Sequence, residues 1–186
     1  MPATPEDKGA ILVRLARAAI AEHFGQAETE PARPDWLDLP GATFVTLTQH
    51  GQLRGCIGSL EAVRPLGEDI EVNARASAFN DPRFPPLSKA ELAATTVEVS
   101  VLSKPEPMQF TGRDDALRQL RPDIDGLVLE YGPHRATFLP QVWQQLPEPE
   151  RFLSHLMLKA GLPAYFWSGD IKLLRYTVEK YQEAKA

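Results

Sequence analysis

The stretch from Thr43 to Leu60 constrains the fold more than any other part of the chain. Thr43 to Thr48 is rich in β-branched residues, Gln49-His50-Gly51-Gln52 reads as a turn, and Leu53 to Leu60 resumes as a strand. Two such runs joined by a short glycine-containing turn form an antiparallel hairpin. The second run, Leu53-Arg54-Gly55-Cys56-Ile57-Gly58-Ser59, places the only cysteine of the chain between two glycines. Glycine weakens a strand interior, so its use here marks a bulge or a close approach by a ligand or another backbone. Side-chain alternation predicts that Arg54 and Cys56 share one face, about 7 Å apart at roughly 3.3 Å per residue, with Leu53 and Ile57 turned to the core.

The segments on either side supply helices and further hairpins. A helix capped by Thr4 or Asp7 is predicted to carry Ile11, Leu12, Leu15, Ala19 and Ile20 at helical spacing and to end near Phe24-Gly25. The proline- and acid-rich segment from Gln26 to Gly41 reads as an irregular connection anchored by Trp36 and Leu37. Pro65 opens a second helix running to about Phe79. Pro82, Pro85 and Pro86 then forbid helix and make Asn80 to Pro86 a rigid turn displaying Asp81 and Arg83. Ser88 with Glu91 forms a capping box. Thr95 to Leu102 alternates Val97, Val99 and Val101 against Thr96, Glu98 and Ser100, the pattern of a half-buried strand.

Beyond Pro105, Asp114 to Leu120 reads as a short helix, and Gly126 to Tyr131 with Arg135 to Leu139 as a second hairpin. Pro149 begins a helix with Phe152, Leu153, Leu156, Met157 and Ala160 as its apolar stripe. Ile171 to Val178 is predicted as a last strand. Strands arranged in hairpins with interspersed helices predict an α+β fold with antiparallel sheet.

Length and composition narrow the function classes. At 186 residues, one domain is expected, over about 8–182, with a candidate smaller lobe within about 61–105. Against 25 Asp and Glu the 20 Lys and Arg leave a net charge of -5, which disfavours bulk binding to nucleic acid or to an anionic membrane. No apolar run reaches the roughly 18 residues of a membrane span, and Met1 to Lys8 lacks the order of a signal peptide, so a cytoplasmic protein is predicted. One cysteine and four histidines without ligand spacing predict no metal site, and no cofactor is expected.

Taken together, Gly41 to Gly58, Asn80 to Pro86, Val99-Ser100-Val101-Leu102, Asp125-Gly126-Leu127, Thr137 to Val142 and Lys159 to Pro163 resemble the AMMECR family. Its microbial members are termed AmmeMemoRadiSam system protein A. The matches span nearly the whole chain in the family's order. Ser59 departs from the threonine of many relatives but keeps the hydroxyl. The resemblance implies an α+β protein of two antiparallel-sheet lobes with a cleft between them. It also implies Memo-type and radical SAM proteins as partners, and an unsettled molecular activity.

For function, the residues leave alternatives open. Cys56 is either a nucleophile or a small buried hydrophobe. Arg54 either binds an anionic group or pairs with a neighbouring acid. Asp81 either lines a site or caps its own turn. Glu98 and Ser100 suit a general base and its hydrogen-bonding partner, or simply a polar strand face. His50 is nearest to Cys56 in sequence, but a turn histidine makes a poor partner and no Cys/His pair is assigned. The leading expectation is a small anionic or nucleotide-like ligand bound near Gly55 and Gly58. Arg54 then neutralises its charge, Cys56 attacks or holds it, and Asp81, Arg83, Glu98 and Ser100 line the site. The alternative is a non-catalytic adaptor that binds a protein partner. An RNA-directed role is weaker because of the acidic total.

Overall fold

A computed structural model describes residues 5–26 and 31–184. The chain forms two compact units: residues 1–102 with 179–186, and residues 103–178. Helices combine with two antiparallel sheets, so the fold is α+β, as the alternating hairpins and helices predict. Residues 61–102 belong to the first unit and 103–105 to the second.

In the first unit, α1 (Pro5–His23) is followed by β1 (Ala42–Gln49), β2 (Gln52–Gly58), α2 (Leu66–Phe79) and β3 (Thr95–Leu102). Thr4 lies outside the described residues, and Asp7 falls in the first turn of α1 rather than before it. The sheet order is β2-β1-β3-β8, with β8 (Val178–Gln182) arriving from the far end of the chain. Alternation decides which face is buried. Val45, Leu47, Val97 and Val99 are fully enclosed and meet Leu12, Leu15, Ala16 and Ile20 of α1 and Ile70, Ala74 and Ala78 of α2. β1 and β3 thus give their odd-numbered apolar residues to the helices and turn their even-numbered ones to the opposite face. His50 and Gly51 both have positive φ, 51° and 76°, the two-residue turn whose twist suits a hairpin.

The second unit holds β4 (Glu106–Pro107), α3 (Arg113–Gln119), β5 (Gly126–Tyr131), β6 (His134–Phe138), α4 (Pro149–Lys159) and β7 (Lys172–Tyr176), with sheet order β4-β7-β5-β6. The predicted stripe of α4 packs on Leu127, Leu129 and Leu173. Trp143 stacks on Phe152 at 3.8 Å and gives its indole N–H to the Asp125 carbonyl at 2.8 Å, which satisfies its one donor inside the core. Trp36 and Trp167 pack against the first and second cores respectively.

One predicted element divides. The strand expected over Ile171 to Val178 is two strands, β7 in the second sheet and β8 in the first. Thr177 separates them, exchanging backbone and hydroxyl hydrogen bonds with Ser103 at 2.8 Å.

Candidate functional site

The predicted site residues all lie in the first unit. Cys56 sits on β2 opposite Thr46 of β1, which in turn faces Glu98 of β3. The three side chains therefore form a row on the face away from the helices, with Cys56 and Glu98 two strand spacings, about 10 Å, apart. The thiol is half-buried, and Thr46 Oγ1 lies 3.3 Å from Cys56 Sγ. Ser100 and Gly58 share the same face one pleat further on, opposite Phe44. His50 stands four residues beyond Thr46, about 13 Å along the strand, and takes no part in this row.

A bulge changes the reading of Arg54. Leu47 opposes Gly55 and Thr48 opposes Leu53, so Arg54 is an extra residue without a partner on β1. Alternation therefore assigns it no common face with Cys56, and it turns Leu53 outward to 43% exposure instead of to the core. The Arg54 guanidinium, 10% exposed, grips Glu91 with Nε at 3.1 Å from Oε1 and Nη2 at 3.3 Å from Oε2. Glu91 also accepts the Ser88 N–H at 2.8 Å, closing the capping box read from the sequence. The Arg54 fork first, and the Ser88 N–H after it, bring the Glu91 carboxyl down to about 2.

Both glycines are occupied from within the chain. A Cβ on Gly55 would stand 2.1 Å from the Ser77 carbonyl oxygen of α2, and one on Gly58 would stand 2.2 Å from the Phe44 ring. The bulge and the close backbone approach expected from the glycines are both present. Helix α2 seals this edge of β2: Ser77 Oγ accepts the Ile57 N–H at 2.9 Å and donates to the Val45 carbonyl at 2.7 Å.

The proline-rich turn after α2 completes the edge. Asp81 is only 4% exposed and accepts the Cys56 N–H at 3.0 Å. The same carboxylate accepts the Arg83 N–H at 3.0 Å, Arg83 Nε at 3.0 Å and Arg83 Nη2 at 2.8 Å. Arg83 Nη2 also donates to the Cys56 carbonyl at 3.3 Å. Both backbone polar groups of Cys56 are thus held by the Asp81–Arg83 pair. Arg83 before all else, then the Cys56 and Arg83 N–H groups, hold the Asp81 carboxyl well below the usual carboxylate range against the opposing effect of burial. The same pair raises Arg83. Phe84 stands beside both arginines, its ring centre 5.9 Å from the Arg54 guanidinium carbon and 5.5 Å from that of Arg83.

Sequence reasoning missed Thr46, Ser77 and Phe84, and it saw Glu91 only as a cap. Thr46 was the one of these with a readable signal, since its place in the hairpin pairs it with Cys56. It also missed Asp69, which is fully buried and accepts from Thr43 N, Thr43 Oγ1, Ser59 Oγ, Arg64 Nε and Asn73 Nδ2 at 2.7–3.0 Å. That cluster ties the loop after β2 to α2 and β1. Among the described residues, no three of His, Cys, Asp and Glu are grouped to hold a metal, and no helix is long and apolar enough to cross a membrane.

Similarity to other proteins covers nearly the whole chain. The AMMECR1 family matches residues 13–181. A protein of Thermofilum pendens is 39% identical over 95% of this chain and 90% of its own length. One from Methanothermobacter thermautotrophicus is also 39% identical, over 95% of both chains. The crystal structure of the uncharacterised protein PH0010 from Pyrococcus horikoshii superposes with a TM-score of 0.80 at 37% identity, covering 95% of this chain and 92% of that one. With residues 13–181 matched by the family and a relative 39% identical over nearly the whole of both chains, the chain belongs to the AMMECR1 family.

Proposed function

We propose that the surface formed by Cys56, Arg83 and Phe84 binds a small anionic or nucleotide-like molecule beside a thiol available for covalent attachment. The observation that carries this reading is the state of Arg83. Its side chain is 55% exposed, yet its Nε and Nη2 are fixed on the buried Asp81 carboxylate and the Cys56 carbonyl. Among the described residues Nη1 has no hydrogen-bond partner, so an immobilised guanidinium presents free donors next to the thiol. Asp81 positions both groups. Phe84 supplies an aromatic edge for a planar ligand. Thr46 and Glu98 offer hydroxyl and carboxylate groups on the thiol's face, and Ser100, one pleat further on, is buried. Arg54, committed to Glu91, braces Phe84 in this reading rather than meeting the ligand.

In the same reading the protein works in the cytoplasm, where a lone thiol stays reduced, alongside the Memo-type and radical SAM proteins implied by its family resemblance. The test is mass spectrometry of the protein purified from its own cells. An adduct on Cys56 or a co-purifying anion, diminished in Arg83→Ala, is expected. An unmodified Cys56 with no retained small molecule overturns the reading.

A non-catalytic adaptor is the second reading. It is favoured by Val63 and Leu39, which are 77% and 63% exposed on segments joined by hydrogen bonds from Leu66 N to Leu39 O and from Gly41 N to Arg64 O. An adaptor keeps its partner when Cys56 is made Ser and loses it when Val63 is made Asp.

A further inference from the structure

The first sheet ends on β8, which pairs with β3 on one side and, among the described residues, with no strand on the other. Alternate N–H and C=O groups of such an edge point outward and serve as a template for another strand. Beside this edge runs an open groove of about 750 Å³, walled by α1 at Gly9, Ala10, Val13 and Arg14 and by the residues from Lys180 to Ala184. Tyr181 packs against α1, since a Cβ on Gly9 would stand 2.7 Å from its ring. Tyr181 therefore marks the helix-facing side of β8, and Lys180 the opposite side.

The charges select what can lie there. Glu183 is engaged by Arg17 Nε at 2.9 Å, and Glu179 accepts the Tyr181 hydroxyl at 2.6 Å. Arg14 and Lys180 are exposed and have no ion-pair partner among the described residues. In a protein of net charge -5, this edge thus keeps two cations without an ion partner among the described residues, Arg14 on the groove wall and Lys180 on the opposite face of β8, while the acid of the groove, Glu183, is paired with Arg17. Lys180 is also the central residue of β8. Two copies paired antiparallel about that centre would set Lys180 against Lys180, which is unfavourable.

We propose that β8 and this groove accept an extended peptide of a partner protein by strand addition, with small apolar side chains turned toward Ala10 and Tyr181 and an acidic side chain opposite Lys180. Backbone pairing supplies the binding, and alternation of apolar and acidic residues supplies the selectivity. The site is separate from Cys56 and does not depend on the reading given to it.

A fluorescein-tagged peptide of alternating Val and Asp tests this on the full chain. Saturable binding by anisotropy is expected, with amide chemical-shift changes confined to residues 9–14 and 179–184. Alternate N-methylation of the peptide abolishes binding, and Lys180→Glu weakens it about tenfold with an unchanged unfolding midpoint. Absence of saturable binding overturns the proposal, as does equal binding of the Val/Lys peptide or shift changes elsewhere. So does concentration-dependent dimerisation of the free protein that moves the same amides, because a second copy then occupies the edge.

Discussion

The carboxylate of Asp81 accepts the backbone N–H of Cys56 at 3.0 Å, joining the turn after α2 to the edge strand that carries the thiol. A turn-starting aspartate ordinarily satisfies only its own local donors, as this one does with the Arg83 N–H. The additional long-range bond makes it the anchor of the candidate site.

Removing that anchor has a pH signature. Asp81 is held below its ordinary value when folded, so its contribution is fully present above the unfolded pKa of about 3.9 and is lost as pH falls through the folded value. Asp81→Asn is expected to cost about 1–3 kcal/mol at pH 7, for the loss of charged hydrogen bonds to a buried donor. Below about pH 4 the wild-type and variant stabilities converge. Urea unfolding midpoints from pH 7 to pH 2 measure the gap, and a gap that stays constant contradicts the assignment.

Glu91 behaves alike but more weakly. Its carboxyl drops to about 2 through Arg54, so its share of stability fades as pH falls from about 4.3 toward 2. The side chain is 34% exposed, so Glu91→Gln costs no more than about 1 kcal/mol at neutral pH. Thermal melts at pH 7 and pH 3 suffice to check both points.

The two glycines of the motif differ in tolerance. Gly55→Ala drives a methyl into the Ser77 carbonyl of α2, a backbone atom that cannot rotate away, whereas Gly58→Ala meets the Phe44 side chain. The first is expected to cost about 3 kcal/mol and the second about 1–2 kcal/mol, the range of overpacking. Equal midpoint shifts in chemical denaturation would contradict a backbone contact at Gly55.

Asp69 carries the largest expected penalty. Asp69→Ala leaves the buried Thr43 N–H without its acceptor and Arg64 without its ion partner, for about 3–5 kcal/mol. Differential scanning calorimetry of the variant tests this, and a loss under about 1 kcal/mol would show that the loop repacks around water.

Features that rest on near neighbours in sequence were legible. The hairpin about His50-Gly51, α2 behind Pro65, the Ser88 and Glu91 capping box and the alternating β3 each follow from side chains within a few positions of one another. Glu179-Lys180-Tyr181-Gln182 offers no such alternation of apolar and polar residues. It is a strand because β3 lies beside it, and so the division at Thr177 was hidden. Arg54 was misplaced by a single extra residue, since a bulge shifts every face assignment before it without altering the local composition.

From the sequence alone came the elements, the α+β class and the stretch where the thiol lies, because backbone propensity and periodicity act locally. Only the tertiary structure decided what surrounds that thiol. The partners of Cys56 come from Thr46, Asp81 and Arg83, 10 to 27 positions away, Glu91 lies 37 positions from Arg54, and Thr43 lies 26 from Asp69. Hydrogen bonds between such residues form only after the helices have packed on the sheet, so no local pattern records them.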